Sequence, residues 1–145
     1  MAQCQGIESL KGMADEVQVG VNALADMAMF FASCGKAGKF LVPIGNAYPF
    51  LMMKGKIVCA WLLLWQAKIA WEKLNALCSA KGVNPADPFA VGALAKENKD
   101  AAFYDGKIKS AKYFIMNVLP EIDATVKAIK SEDLSIMEIA EESFA

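Results

Sequence analysis

The sequence predicts an all-α fold, an antiparallel helical bundle of three long helices plus one or two short ones. Hydrophobic residues make up 56% of the 145 residues, and most of them are Ala, Leu, Met and Ile, which suit helices. Thr125 is the single threonine, so strand-forming β-branched residues are scarce. Three long segments repeat apolar residues at alternating steps of three and four, the spacing of one helix face. The length predicts one domain, residues 1–145.

The first helix is predicted from residue 7 to about residue 33. Its apolar stripe consists of Ile7, Leu10, Ala14, Val17, Val21, Leu24, Ala28 and Phe31. Gly35, Gly38, Pro43 and Gly45 follow, and glycine and proline at this density predict a helix end and a connection.

The second helix is predicted from about residue 48 to residue 80, with Pro49 in its first turn. Its stripe consists of Phe50, Met53, Ile57, Ala60, Leu64, Ala67, Trp71, Leu74 and Cys78. Trp61 and Trp65 lie beside this stripe and widen it, and Gly82 is expected to end the helix. The most apolar run, residues 57–65, has nine residues, with Lys54 and Lys56 before it and Gln66 and Lys68 after it. Because a spanning helix needs about twenty, we expect no membrane span.

The third long helix is predicted over residues 99–130, after a linker in which Asp87 and Pro88 could start a short helix. Pro120 must kink or restart it. Its stripe consists of Tyr104, Ile108, Ala111, Ile115, Val118 and Ile122. In the tail, Ser131 is a plausible cap, Ser135 and Glu138 match the capping-box spacing, and the apolar residues predict a short docking helix.

Composition excludes several kinds of chemistry. The net charge is −1, all 15 basic residues are Lys, and there is no Arg and no His. We therefore expect no nucleic-acid partner, no guanidinium clamp on phosphate and no di-metal site of the usual Glu and His type. The spacing of Cys4, Cys34, Cys59 and Cys78 matches no metal or redox motif. We assign no catalytic, cofactor-binding or metal residue, and expect reduced thiols and a cytoplasmic location.

A slim bundle with this much apolar sequence should leave apolar surface for a partner. Most of its aromatic residues are more typical of core or interface positions than of a ligand groove. Lys107, Lys109 and Lys112 either meet a phosphate or a partner's carboxylates, or only solubilise the surface. The candidate packing and interface residues are Trp61, Trp65, Phe103, Tyr104, Lys107, Tyr113 and Phe114.

Literal motifs add a resemblance to a known family. They are Phe103-Tyr104, Gly106-Lys107, Ala111, Tyr113-Phe114 and Leu119-Pro120, the segment LLLWQA at 62–67, and the acidic tail that closes on Phe144. In this order they resemble the C-terminal helical domain of the large members of the acyl-CoA dehydrogenase family, with the best match over residues 45–145.

The resemblance implies an accessory domain of an FAD-dependent acyl-CoA dehydrogenase, serving packing and oligomer contacts. The catalytic Glu and the flavin contacts of that family belong to preceding domains, so this chain alone is not expected to catalyse the reaction or to hold the cofactor. Its implied partners are a second copy or the dehydrogenase catalytic domain, with acyl-CoA bound only by the parent enzyme.

Two alternatives stay open. One is a free-standing helical interaction or lipid/acyl-binding bundle, whose sign would be an enclosed pocket among Trp61, Trp65, Tyr104 and Phe114. The other is peripheral membrane docking through the face of residues 57–65, although the near-neutral charge is not typical of a protein that binds anionic lipid.

Overall fold

The computed structural model describes Cys4 and residues 6–144 and confirms the all-α bundle. About 84% of the chain is helical, and the described residues contain no strand. The helices are α1 (Glu8–Lys36), α2 (Leu41–Gly45), α3 (Ala47–Ala80), α4 (Pro88–Glu97), α5 (Lys99–Tyr113), α6 (Glu121–Lys130) and α7 (Ser135–Glu138). A π-helical segment, Phe114–Val118, connects α5 to α6, and a 3₁₀ turn, Glu141–Phe144, follows α7.

Helix α3 is the centre of the bundle, and it packs most extensively against α5 and next against α1. Both neighbours run antiparallel to it. The ring of Phe31 near the end of α1 meets Phe50 near the start of α3, with centroids 5.1 Å apart. Lys56 in the first half of α3 contacts Glu121, the first residue of α6, at 2.5 Å. The three long helices therefore pack antiparallel, as predicted.

The C-terminal ends of α1 and α3 are both followed by a glycine in the left-handed conformation. Gly38 and Gly82 adopt positive φ values of 76° and 67°, which favour glycine because they lie in the left-handed region. After α3, the N–H of Val83 donates to the carbonyl of Cys78 at 2.9 Å, and that of Gly82 donates to Ser79 at 3.2 Å. This pair of bonds is a Schellman motif, and it satisfies carbonyls that the helix leaves free.

Local caps place the shorter helices. The Asp87 side chain accepts a hydrogen bond from the Phe89 N–H at 2.9 Å, so Asp87 and Pro88 begin α4 as the sequence predicted. The Asn98 side chain accepts from the N–H groups of Asp100 and Ala101 and begins α5. Helix α2 was not predicted, since its five residues include Pro43 and end at a glycine.

Pro120 interrupts the third long helix through the π-helical segment. Proline has no N–H to donate back along the helix. The preceding N–H, that of Leu119, instead reaches five residues back to the carbonyl of Phe114, at 2.9 Å. The chain restarts as α6 with Pro120 as its N-cap residue. This is the predicted restart, and the wider turn buries Leu119, a residue outside the predicted stripe.

The main core follows the predicted stripe of α3 closely and that of α1 less closely. Met53, Ile57, Ala60, Leu64 and Ala67 are all buried. In α1, Ala28 was expected inside but is exposed, whereas Gly20, Met27 and Cys34 are buried. A Cβ on Gly20 would lie 3.4 Å from Ile57, 3.5 Å from Ile122 and 3.6 Å from Leu119. This glycine therefore marks the close crossing of α1 with the other two long helices.

The capping predicted for the tail is wrong in detail. Ser131 ends α6, where its hydroxyl donates to the carbonyl of Ala128 at 2.7 Å, and does not begin another helix. Ser135 lies inside α7, whose N-cap residue Leu134 makes no side-chain cap. The Ser135 hydroxyl donates to Asp133 at 2.8 Å. That bond, with the one from the Ser135 N–H, lowers the pKa of Asp133.

One exposed ion pair links the α1–α2 connection to the turn after α6. Lys39 donates a hydrogen bond to Glu132 at 2.5 Å, and Glu132 adopts a positive φ of 54° just beyond α6. This hydrogen bond and the attraction of the carboxylate raise the pKa of Lys39. The pair joins two turns at the same end of the bundle, although exposed ion pairs contribute little stability.

Candidate functional site

Helix α3 carries two apolar stripes on opposite sides. The inner stripe forms the core. The second is offset from it by two residues, which is about 200° around the helix. Its members are all exposed in the chain. We call this surface the outer face of α3, and it consists of Leu51, Val58, Leu62, Trp65 and Ile69. A helix that is apolar on all sides is normally covered on all sides.

Two of the predicted interface residues lie on or beside this surface. Trp61 and Trp65 are 46% and 56% exposed, and their rings stack with centroids 6.5 Å apart and planes 25° apart. Buried tryptophans are frequent anchors of protein interfaces. The stacked pair therefore gives the outer face an aromatic edge that suits an interface.

Positive charge accompanies the outer face. Glu72 is the one acidic residue in α3, and it pairs with Lys68 at 2.8 Å. Lys56 pairs with Glu121. Lys54 and Lys73, both exposed, have no carboxylate within ion-pair distance among the described residues. The surroundings of the outer face therefore attract carboxylates.

An open groove lies between α3 and α5. It measures about 310 Å³. Phe103, Tyr104 and Lys107, three more of the predicted interface residues, line it together. The Lys107 ammonium lies 5.4 Å from the centroid of the Phe103 ring, a cation–π arrangement. The other lining residues are Gln66, Ile69 and Ala70 of α3.

The remaining predicted residues are not part of this groove. Tyr113 is exposed at the end of α5, and Phe114 is half-buried against the main core. The structure therefore does not bring Trp61, Trp65, Tyr104 and Phe114 around one enclosed pocket. Of the three clustered lysines, Lys109 pairs with Asp105 at 2.5 Å, whereas Lys107 lines the groove.

The described residues contain no group of three or more Cys, Asp or Glu side chains that could hold a metal ion. The four cysteines are unpaired thiols; Cys59 is exposed, and the other three are buried.

By length and composition alone, α1 and α3 are long and apolar enough to cross a membrane. Only 22% of the most apolar window of each helix is buried within the protein. Core helices of soluble proteins meet the same criterion, so the expectation that the chain has no membrane span stays a prediction.

Comparison with known proteins identifies the family. A family model described as "Acetyl-CoA dehydrogenase C-terminal like" matches residues 1–140. The chain belongs to this family. The match begins at residue 1 and so includes α1, which precedes the segment of best resemblance, residues 45–145. No solved structure matches the chain significantly.

Individual relatives of this chain are longer proteins named as dehydrogenases. Two proteins named butyryl-CoA dehydrogenase, from Syntrophomonas wolfei, are 34% identical over 88 residues and 28% identical over 131 residues, or 61% and 90% of this chain. The broad-specificity linear acyl-CoA dehydrogenase FadE5 of Mycobacterium tuberculosis is 34% identical over 95 residues, 66% of this chain. The matches span 12%, 18% and 13% of these relatives, so the chain corresponds to a small part of each.

The sequence interpretation missed the outer face as a separate stripe. The signal was present, because Leu51, Gly55, Val58, Leu62, Trp65 and Ile69 alternate in steps of four and three. It was hidden because the inner stripe of the same helix gives an equally regular pattern.

Proposed function

We propose that this chain is the accessory C-terminal helical domain of an acyl-CoA dehydrogenase-like flavoenzyme, and that it serves packing and oligomer contacts. The outer face of α3 is the observation that carries the proposal. Its bulky apolar side chains are exposed along a helix of 34 residues. Exposed apolar surface of this extent is typical of a protein interface.

Charge favours the dehydrogenase catalytic domain as the direct partner on this face. Lysines outnumber acidic residues along α3, with four lysines and one glutamate. A second copy docked on the same face would bring lysines together, which opposes association. A surface that combines apolar side chains with carboxylates complements it, and we propose that subunit contacts form through the assembled enzyme.

The proposed parent reaction is the FAD-dependent dehydrogenation of an acyl-CoA in the cytoplasm, with FAD and substrate held by other domains. The chain has no Arg, no His and no glycine-rich phosphate loop. Its residues therefore do not fit the pyrophosphate of FAD, which such loops and guanidinium groups usually hold. We assign this chain no step of the reaction.

The test uses the complete flavoenzyme that contains this domain, as one polypeptide or as a complex with the dehydrogenase body. The double variant Val58→Glu/Leu62→Glu places two carboxylates on the outer face. Burying each in the apolar contact costs at least about 1–3 kcal/mol, and both repel the carboxylates expected on the partner. We expect the domain to detach in sedimentation velocity or to unfold separately in a thermal scan.

The matched control is the double variant Val19→Glu/Met29→Glu on α1, where the native side chains are 57% and 70% exposed and lie outside the outer face. It should leave assembly and the thermal scan unchanged. If the double variant assembles and unfolds like the wild type, the proposed docking is wrong. Stoichiometric FAD and butyryl-CoA oxidation in the isolated chain would contradict the assignment of the chemistry to other domains.

A membrane role is the second candidate, favoured by the low burial of the apolar windows in α1 and α3. Flotation of the isolated chain with liposomes would support it. Loss of flotation in the Val58→Glu/Leu62→Glu variant would identify the outer face of α3 as the membrane contact.

A further inference from the structure

We propose that the groove between α3 and α5 binds an anionic amphiphile, a molecule with an alkyl chain and one carboxylate. The proposal concerns Phe103, Tyr104 and Lys107 and does not depend on the docking of the outer face. The groove is defined by the lining of Gln66, Ile69, Ala70, Phe103, Tyr104 and Lys107.

The size and the lining of the groove fit a small ligand. Its volume of about 310 Å³ lies at the lower end of the range for small-molecule sites, about 300–1,000 Å³. Ile69 and Ala70 from α3 and the aromatic rings of Phe103 and Tyr104 from α5 provide apolar contact. Such sites combine a mainly apolar lining with a few polar groups that orient the ligand.

Lys107 decides the charge of the ligand. Its ammonium lies over the Phe103 ring at 5.4 Å, and it has no carboxylate within ion-pair distance in the described part of the chain. Asp105, the nearest acidic residue in sequence, pairs with Lys109. A carboxylate at the groove would therefore gain a charge-assisted hydrogen bond without displacing an existing partner.

The polar side chains at the groove are few and suit one head group. The Tyr104 hydroxyl and the Gln66 amide can both donate hydrogen bonds to a carboxylate oxygen. Tyr104 is half-buried and packs on the smaller core cluster formed by Leu74, Cys78, Val91 and Ala101. That packing fixes one wall of the groove before a ligand arrives, which lowers the entropic cost of binding.

A second groove in the chain provides an internal comparison. It measures about 350 Å³ and lies where the start of α1 meets the end of α3. Its lining includes Glu8 and Trp71 but no lysine. The same anionic ligand should therefore avoid it.

The experiment titrates decanoate into the isolated chain, below the concentration at which decanoate forms micelles, and follows backbone amide shifts by NMR. We expect saturable shifts that map to the groove between α3 and α5 and not to the groove at Glu8. Decanol, which has the same alkyl length and no charge, should bind more weakly.

Two lysine variants isolate the role of charge. Lys107→Met keeps an unbranched side chain and removes the ammonium, and it should weaken decanoate binding by about tenfold or more while leaving decanol unchanged. Lys112→Met is the control, because it removes an equal charge from the same helix at a residue outside the groove. Phe103→Ala, at an exposed residue, should weaken both ligands.

Three results would overturn the proposal. They are equal decanoate affinity in the wild type and Lys107→Met, shifts that map to Leu51, Val58 and Leu62 on the part of the outer face away from the groove, and no saturable binding at all. The last result would leave Lys107 as a contact for an acidic side chain of a protein partner. If decanoate binds as expected and the assembly test of the outer face fails, only the docking proposal is refuted.

Discussion

The difference in burial between the two sides of α3 can be measured by making the same substitution, leucine to alanine, once on each side. Leu64 is 1% exposed and belongs to the main core, whereas Leu62, two residues earlier on the opposite side, is 39% exposed. Truncating a fully buried leucine to alanine removes its transfer free energy and leaves a cavity, at a cost of about 3 kcal/mol. The same truncation at Leu62 should cost only about 1 kcal/mol, because the side chain already contacts water.

The measurement is urea unfolding of Leu64→Ala and Leu62→Ala, followed by circular dichroism at low protein concentration so that the outer face stays uncovered. A difference of about 2 kcal/mol corresponds to a gap of roughly 6 °C in melting temperature for a chain of this size. Unchanged denaturant slopes would show that both variants unfold from the same kind of native state. Equal losses, or a larger loss for Leu62→Ala, would refute the assignment of the two faces.

Three further predictions concern the helix crossings and the helix ends. Gly20→Ala should change the free energy of unfolding by less than about 1 kcal/mol, because alanine favours the helix and its Cβ would lie 3.4 Å from Ile57, at ordinary contact distance. Gly20→Leu should lower the free energy of unfolding, measured in urea, by about 1–3 kcal/mol, because the larger side chain overpacks the crossing. Pro120→Ala should leave the core intact and lower the free energy of unfolding by less than about 1 kcal/mol, since the π-helical turn already accommodates residue 120. Slower amide hydrogen exchange across α5 and α6 in this variant would contradict the prediction. Ser135→Ala should raise the pKa of Asp133 in an NMR titration, because the hydroxyl hydrogen bond that lowers this pKa is lost. In the wild type, the hydrogen bonds to the Asp133 carboxylate stabilise the fold at a pH above the ordinary Asp pKa, and this stabilisation is lost as the pH falls through the lowered pKa of the folded state.

The sequence predicted what depends on helical periodicity and local capping. The ends of α3, the Asp87 cap and the restart at Pro120 follow from short-range rules that act within one or two turns. The fold class follows from three stripes that can all be buried only against one another.

Features that depend on several elements at once were not predictable. In α1 the buried side shifts to Gly20 and Met27 because α1 crosses α3 and α6 closely at the glycine. Local capping was not predicted correctly in the tail, where Leu134 takes the N-cap position and Ser135 bonds to Asp133. The groove brings Ile69 together with Phe103 across two helices, a pairing that neither local pattern contains.

The opposed stripes of α3 also affect how the chain reaches its fold. Because both stripes of α3 are apolar, hydropathy alone does not determine which of them faces the core. A partly folded chain can therefore collapse with α3 rotated about its axis by about half a revolution, so that the outer face is buried. The inner stripe differs in volume, since Ala60 and Ala67 alternate with the larger residues Ile57, Leu64 and Trp71 and let neighbouring helices approach. Trp65 and Leu62 would hold those neighbours apart in the turned state. Small side chains therefore select the native rotation, and enlarging Ala67 should slow refolding by favouring the wrong one.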